Sequence, residues 1–296
     1  NLSLSIQLKP EQTYLDASLK SKVLPRVDAE LMFMQGQPTF GEILIGGAKV
    51  KTVDNKGINI AANLSLANLE SWINFLPEVL DTKAAPDNES NLKQVQLDIK
   101  NLDGFGYLFQ KTNILIKPQD KQWLLDISGS NVKGKVYLPQ NEGKLILDFD
   151  SLNLVSLDKI LKGSSDTKEK VSKPIDPRKI PKLAFNARKL MLDNRSIGAW
   201  NLEVEPDNTG SIIRSIKGQI KWNTISGQLN WRYSPQAQST IATFDVAGGD
   251  ITAIFEAFDF PVLMSSNKYH SELVLHWPQA PSEFSLAFLS GKITLS

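Results

Sequence analysis

The sequence contains no cysteine and only two histidines, His270 and His276. The missing thiols exclude disulfides and thiolate metal sites, and they permit an oxidising compartment without demanding one. Without cysteine, a zinc site would need a carboxylate pair that the pattern does not single out. Two solvated histidines and no metal are therefore expected. A charge excess of either sign is also lacking. Lys and Arg total 33 against 32 Asp and Glu, a net charge of +1, which leaves no electrostatic footprint for nucleic acid. No apolar run is long enough for a membrane-spanning helix.

Catalytic signatures are equally sparse. There is no nucleophile elbow, Walker lysine or metalloprotease motif. Gly46-Gly47 and Gly104-Phe105-Gly106 lack the helix that follows a phosphate loop, so they read as turns. Asp148 and Asp150 share the polar side of one segment, and nothing supplies the second environment that an acid–base pair needs. No catalytic residue, cofactor or enzyme activity is expected.

What the sequence has instead is alternation, the period of a half-buried strand. Strand segments are expected over 2–8, 13–20, 26–34, 40–50 and 57–65, separated by Pro10, Pro25, Gly36-Gln37-Pro38 and the turn at Gly57. A second set covers 92–100, 105–117, 123–128, 132–138 and 144–152. A third covers 183–192, 197–205, 212–222, 225–233 and 240–247. Two more segments, 273–277 and 284–289, follow. Each set of five runs into a short helical pattern. The first has Leu69, Trp72, Ile73 and Leu76 on one face with Asn68 as its cap. The second has Leu157, Ile160 and Leu161 with Ser156, and the third Ile251, Ile254, Phe255 and Phe258 with Asp250.

Leu69, Leu157 and Ile251 are 88 and 94 residues apart by subtraction, which is the spacing of a repeat. The fold expected is mainly β, an elongated, curled antiparallel sheet forming an open groove. Each five-strand unit would end in a short helix and a long loop. Units are expected at 1–90, 91–177 and 178–270, with 271–296 starting a fourth, all in one continuous body. An odd strand count requires the chain to cross back before the next meander begins. Both termini, NLSLSIQLK and FSLAFLSGKITLS, lie in alternation, so an excerpt from a longer protein is expected. The six tryptophans, Trp72, Trp123, Trp200, Trp222, Trp231 and Trp277, fit either β-core packing or the rim of an apolar groove.

The segment from Asp176 to Pro206, DPRKIPKLAFNARKLMLDNRSIGAWNLEVEP, resembles the C-terminal half of YhdP-type members of the AsmA-like family. An Asp-Pro-Arg-x-x-Pro lead-in (Asp176, Pro177, Arg178, Pro181) precedes Leu190 and Leu192, then Ile197, Gly198 and Trp200. Downstream, GQIKWNTISGQLNWRY and LHWPQAPSEFSLAFLSGKITLS are similar to that family's Trp-x-Gly and Trp-Pro-Gly-like segments. Gln279 stands where a glycine is expected. These are packing and turn motifs, strongest from Asp176 to Ser296.

The resemblance implies a Gram-negative periplasmic protein, anchored in the inner membrane by a segment outside this sequence. It further implies a bridge-like lipid transfer protein built of repeating β-groove units. Glycerophospholipids would be carried between inner and outer membranes, with other envelope proteins as possible partners. The groove lining then expected is one parity of each strand: Val95, Leu97, Ile99; Leu145, Leu147, Phe149; Ile216, Ile220, Trp222; Leu229, Trp231; Phe244, Val246. An elongated periplasmic scaffold or assembly factor without lipid conduction is the competing expectation. An outer-membrane barrel would also alternate, but charged loops and repeated helices weigh against it.

Overall fold

A computed structural model describes residues 2–9, 12–19, 25–50, 57–72, 91–140, 143–156, 176–234, 236–262 and 264–296. The chain is mainly β, with seventeen strands among the described residues. They fall into two compact units, Asn1–Glu142 with Val155–Leu157, and Gly143–Leu154 with Asp158–Ser296.

The first unit holds nine strands: β1 (Leu2–Lys9), β2 (Gln12–Leu19), β3 (Val27–Met34), β4 (Gln37–Ile45), β5 (Ile58–Asn68), β6 (Leu92–Gly104), β7 (Tyr107–Gln119), β8 (Gln122–Ser128) and β9 (Val132–Pro139). Each pairs with the next in chain order. Most pairings are antiparallel, but β4–β5 and β5–β6 are parallel. Parallel neighbours require the chain to return to the starting end before it re-enters the sheet. The return expected after the fifth strand is present, and another occurs one strand earlier, between Ile45 and Ile58. Alternation reports which face a residue takes and carries no sign of strand direction.

The second unit holds β10 (Leu145–Leu154), β11 (Leu183–Leu192), β12 (Arg195–Asp207), β13 (Gly210–Ile220), β14 (Asn223–Tyr233), β15 (Gln238–Gly248), β16 (Tyr269–Trp277) and β17 (Ser290–Leu295). β10 and β11 are parallel; every later pair is antiparallel. Between β15 and β16 the chain forms helix α1 (Thr252–Ala257) and re-enters the sheet at the end it left, since Gly248 faces Tyr269, so the crossing-back expected after this third set of five strands does not occur.

Two further expectations for this unit are corrected. Residues 284–289 are not a strand: 3₁₀ turns occupy Pro281–Glu283 and Leu286–Phe288, and the last strand begins at Ser290. Pro281 cannot donate to a ladder, and the Trp277 and Phe284 rings meet edge to face at 5.3 Å, which turns the segment out of the sheet. β13 ends at Ile220 rather than Trp222, because Lys221 has a left-handed φ of 49° and starts a turn.

Long strands stay two-faced by kinking. Ser215 has φ 51°, and the β13–β14 register slips between Ile213 and Ile216. That one-residue bulge puts Ile213 and Ile216, three apart, against the same core.

Candidate apolar trough

Register follows the same residue class from strand to strand. In the second unit, Leu145, Leu183, Val204, Ile213, Leu229, Ala242, Leu275 and Gly291 are successive partners across all eight strands. A second row runs Phe149, Ala187, Trp200, Gly218, Ile225, Val246, Ser271, Leu295, with one hydroxyl in eight places. The row between them on the opposite face is wholly polar: Asp148, Asn186, Asn201, Lys217, Ser226, Asp245, Glu272, Thr294. Because side chains alternate between faces, a slip of one residue would exchange the two surfaces.

The first unit repeats the arrangement. Leu4, Ala17, Ala29, Ile43, Ile60, Val95, Ile116, Leu125 and Val136 form one row through nine strands. Leu2, Leu19, Val27, Ile45, Ala62, Leu97, Ile114, Ile127 and Gly134 form another. Each unit therefore presents an apolar strip that crosses its strands without interruption.

The strip is partly covered. In the first unit Ile99, Leu102, Ile114, Ile116 and Trp123 are buried, with Val95 and Leu97 half-buried beside them. Leu69 and Trp72, from the helical turn at 69–72, pack on this cluster, and Asn68 Oδ1 caps that turn by accepting from Ser71 N at 2.9 Å. Ile73 and Leu76 lie outside the described residues, as do Leu157, Ile160 and Leu161. In the second unit Phe149, Ile216, Ile220, Leu229, Trp231 and Val246 are buried, while Leu145, Leu147 and Phe244 are half-buried. Trp222 is a further correction: it lies in the β13–β14 turn and is 81% exposed, because the strand has already ended.

Segments at both strand ends close over the second strip. At one end α1 rests against β12 and β13, and Phe258 meets Trp200 edge-on at 6.3 Å. The buried positions of α1 are Ala253 and Ala257; Ile251, Ile254, Phe255 and Phe258 are half-buried. Asp250 Oδ1 accepts from Thr252 N at 3.0 Å and from the Thr252 hydroxyl, which holds its carboxyl below the usual range. Asn223, fully buried, ties this end together. Its amide donates to Ile220 O and Asp250 O, and its Oδ1 accepts from Tyr269 OH at 3.0 Å. At the other end Ser211 donates to Pro177 O and Thr240 to Gln279 O, both side chains buried. The Phe260 ring reaches Phe284 at 6.3 Å.

Among the described residues, the polar face carries one group of metal-ligating type. His270 Nε2 lies 2.7 Å from Asp245 Oδ2, and donor atoms of Asp245, His270 and Glu272 all fall within 4.8 Å. Hydrogen bonding to Asp245, followed by its charge, pushes the imidazole pKa up. The carboxylate pair that the sequence did not single out is thus supplied by strand register, in a solvent-exposed setting. His276 sits further along the same strand, 3.5 Å from the Ser290 hydroxyl. A cavity of about 360 Å³ in the first unit is lined by polar side chains, Gln94, Gln96, Asp98, Asn113, Lys117, Asp126 and Ser128, together with Leu97, Ile114 and Leu115. It holds no histidine or cysteine with which Ser128 could form a nucleophile–base pair.

The family model described as YhdP protein matches residues 1–296, the whole sequence. This chain belongs to the YhdP family. No curated protein and no solved structure matches it. In this YhdP-family chain, none of the described helices is long and apolar enough to cross a membrane. Alternation identified the apolar parity of its strands. It could not identify Asn223 or the enclosed indole of Trp123, because their roles come from what surrounds them after folding.

Proposed function

We propose that this YhdP-family chain conducts glycerophospholipids across the periplasm between the inner and outer membranes, their acyl chains lying along the apolar strips. The observation that carries this reading is the uninterrupted apolar register, eight strands wide in one unit and nine in the other. Exposing an acyl chain of roughly fifteen methylenes to water costs about 12 kcal/mol. A strip that shields the chain at each step removes most of that barrier, and near-uniform lining lets it slide. A polar opposite face keeps the carrier itself in solvent. No nucleophile, metal or cofactor is needed, and the reading is of a carrier rather than an enzyme.

Family membership supports an envelope location. The full reading is a periplasmic body anchored to the inner membrane by a segment outside this sequence, working with membranes and envelope proteins at its ends. Native mass spectrometry of the purified chain tests the cargo. Co-purifying glycerophospholipid is expected, and its repeated absence would contradict conduction.

A second reading has its own observation. The Trp200–Phe258 and Phe260–Phe284–Trp277 ring contacts bring the protein's own aromatics together along the second unit. A scaffold whose face is filled by itself would look like this. Absence of lipid, with unchanged stability after delipidation, would favour it.

A further inference from the structure

Trp200, Trp231 and Trp277 each donate their indole N–H within the protein, to Ile197 O at 2.6 Å, Gln238 Oε1 at 2.8 Å and Ala280 O at 3.0 Å. Trp123 differs. It is 1% exposed, and its Nε1–H has no partner among the described residues. An indole N–H taken out of water normally finds an acceptor, because hydrocarbon replaces none of the hydrogen bonding it gave up.

The surroundings narrow what that acceptor is. Trp123 belongs to the apolar cluster of the first unit, and its register partners are Pro118 and Leu138. An anionic phosphate placed among such groups would lose its hydration without a matching charge. An uncharged carbonyl oxygen meets no such penalty. Position narrows it again: β8 begins at Gln122, so the indole stands one residue inside the strand end, beside the exposed Asp120–Lys121 turn. A glycerolipid carries its ester carbonyls at the junction of chains and head group. With one ester at Trp123, the chains would follow the apolar rows and the head group would reach solvent at the turn.

We infer that the Trp123 indole N–H is a seat for an ester carbonyl of a glycerolipid, a resting position in an otherwise featureless strip. This builds on the lipid reading above and adds to it a chemical preference, ester over ether. Sliding along the strip then has a pause point rather than a uniform rate.

The test compares a diacyl phospholipid with its dialkyl ether analogue, matched in head group and chain length. Both are offered in mixed micelles to the wild-type protein and to Trp123→Phe, with bound lipid read by native mass spectrometry. Phenylalanine keeps an aromatic ring and removes the donor. The wild type is expected to prefer the ester lipid by ~3- to 10-fold, the range of one net hydrogen bond. Trp123→Phe should bind the two alike, and Trp277→Phe, whose indole is satisfied internally, should keep the preference. The same preference in wild type and Trp123→Phe overturns the seat while the lipid reading stands. Binding of neither lipid by the wild type overturns both. Should Trp123→Phe not fold, the wild-type ratio alone decides, since a ratio of about one rules the seat out.

Discussion

Gly218 lies directly beneath the indole of Trp200: the two are register partners, and a Cβ at position 218 would come within 2.7 Å of the ring. The ring cannot simply swing aside, because its N–H is held by Ile197 O and it packs in a T-shaped contact with Phe258. Gly218→Ala is therefore expected to destabilise the second unit by about 1–3 kcal/mol, the usual cost of overpacking. Urea unfolding checks it. An unchanged midpoint would show the indole to be mobile.

Asn223 predicts a larger loss. It joins Ile220, Asp250 and Tyr269 from a fully buried position, so Asn223→Ala takes the amide donor from two carbonyls and the acceptor from a phenol. Removal of one member of such a buried set is expected to cost about 2–4 kcal/mol. Hydrogen exchange should quicken across residues 250–258 more than in β11. Uniform quickening would argue that the network is a general core contact rather than the fastening of α1.

His270 makes a prediction in pH. Asp245 raises its pKa above the ordinary histidine value, so the stabilising contact is fully present below the unfolded-state pKa. It is lost as pH rises through the higher folded-state value. An NMR titration should place the His270 midpoint above about 6.5, and Asp245→Asn should bring it back down. A midpoint unmoved by that substitution would contradict the pairing.

The legible part of this fold was its faces, and the illegible part was its directions. Val95, Leu97 and Ile99 announce their side of β6 by alternation alone, as do Leu229 and Trp231 on β14. The parallel entry of β5 beside β4 leaves no such mark, because a strand alternates equally well in either direction. Trp222 misled for a local reason: the pattern continues through it, while a left-handed Lys221 ends the strand two residues sooner. Asn68 was readable because a helix start needs a short polar side chain. Asp250, expected as the cap of α1, stands one residue before it: Ile251 holds the cap position without a side-chain bond, and Asp250 holds Thr252 instead. Asn223 was not readable, since a buried amide gains its meaning from its partners, and two of them, Asp250 and Tyr269, lie far along the chain.

The helices give a further prediction. Ile254 and Phe255 are half-buried beside Ala253 and Ala257, so Ile254→Asp should loosen α1 from β12 and β13. A melting-temperature drop of about 4–8 °C is expected for a destabilisation near 2 kcal/mol in a body of this size. No change would show that α1 does not depend on the strip.

The apolar register is the central claim, and light-driven crosslinking tests it most directly. A photoreactive residue would be placed at Leu97 or Phe244 on the apolar face, and at Lys217 or Gln219 on the polar face, in the full-length protein in cells. Glycerophospholipid captured from Leu97 and Phe244, with none from Lys217 and Gln219, is the predicted result. Capture from the polar positions instead, or equally from both faces, would contradict it.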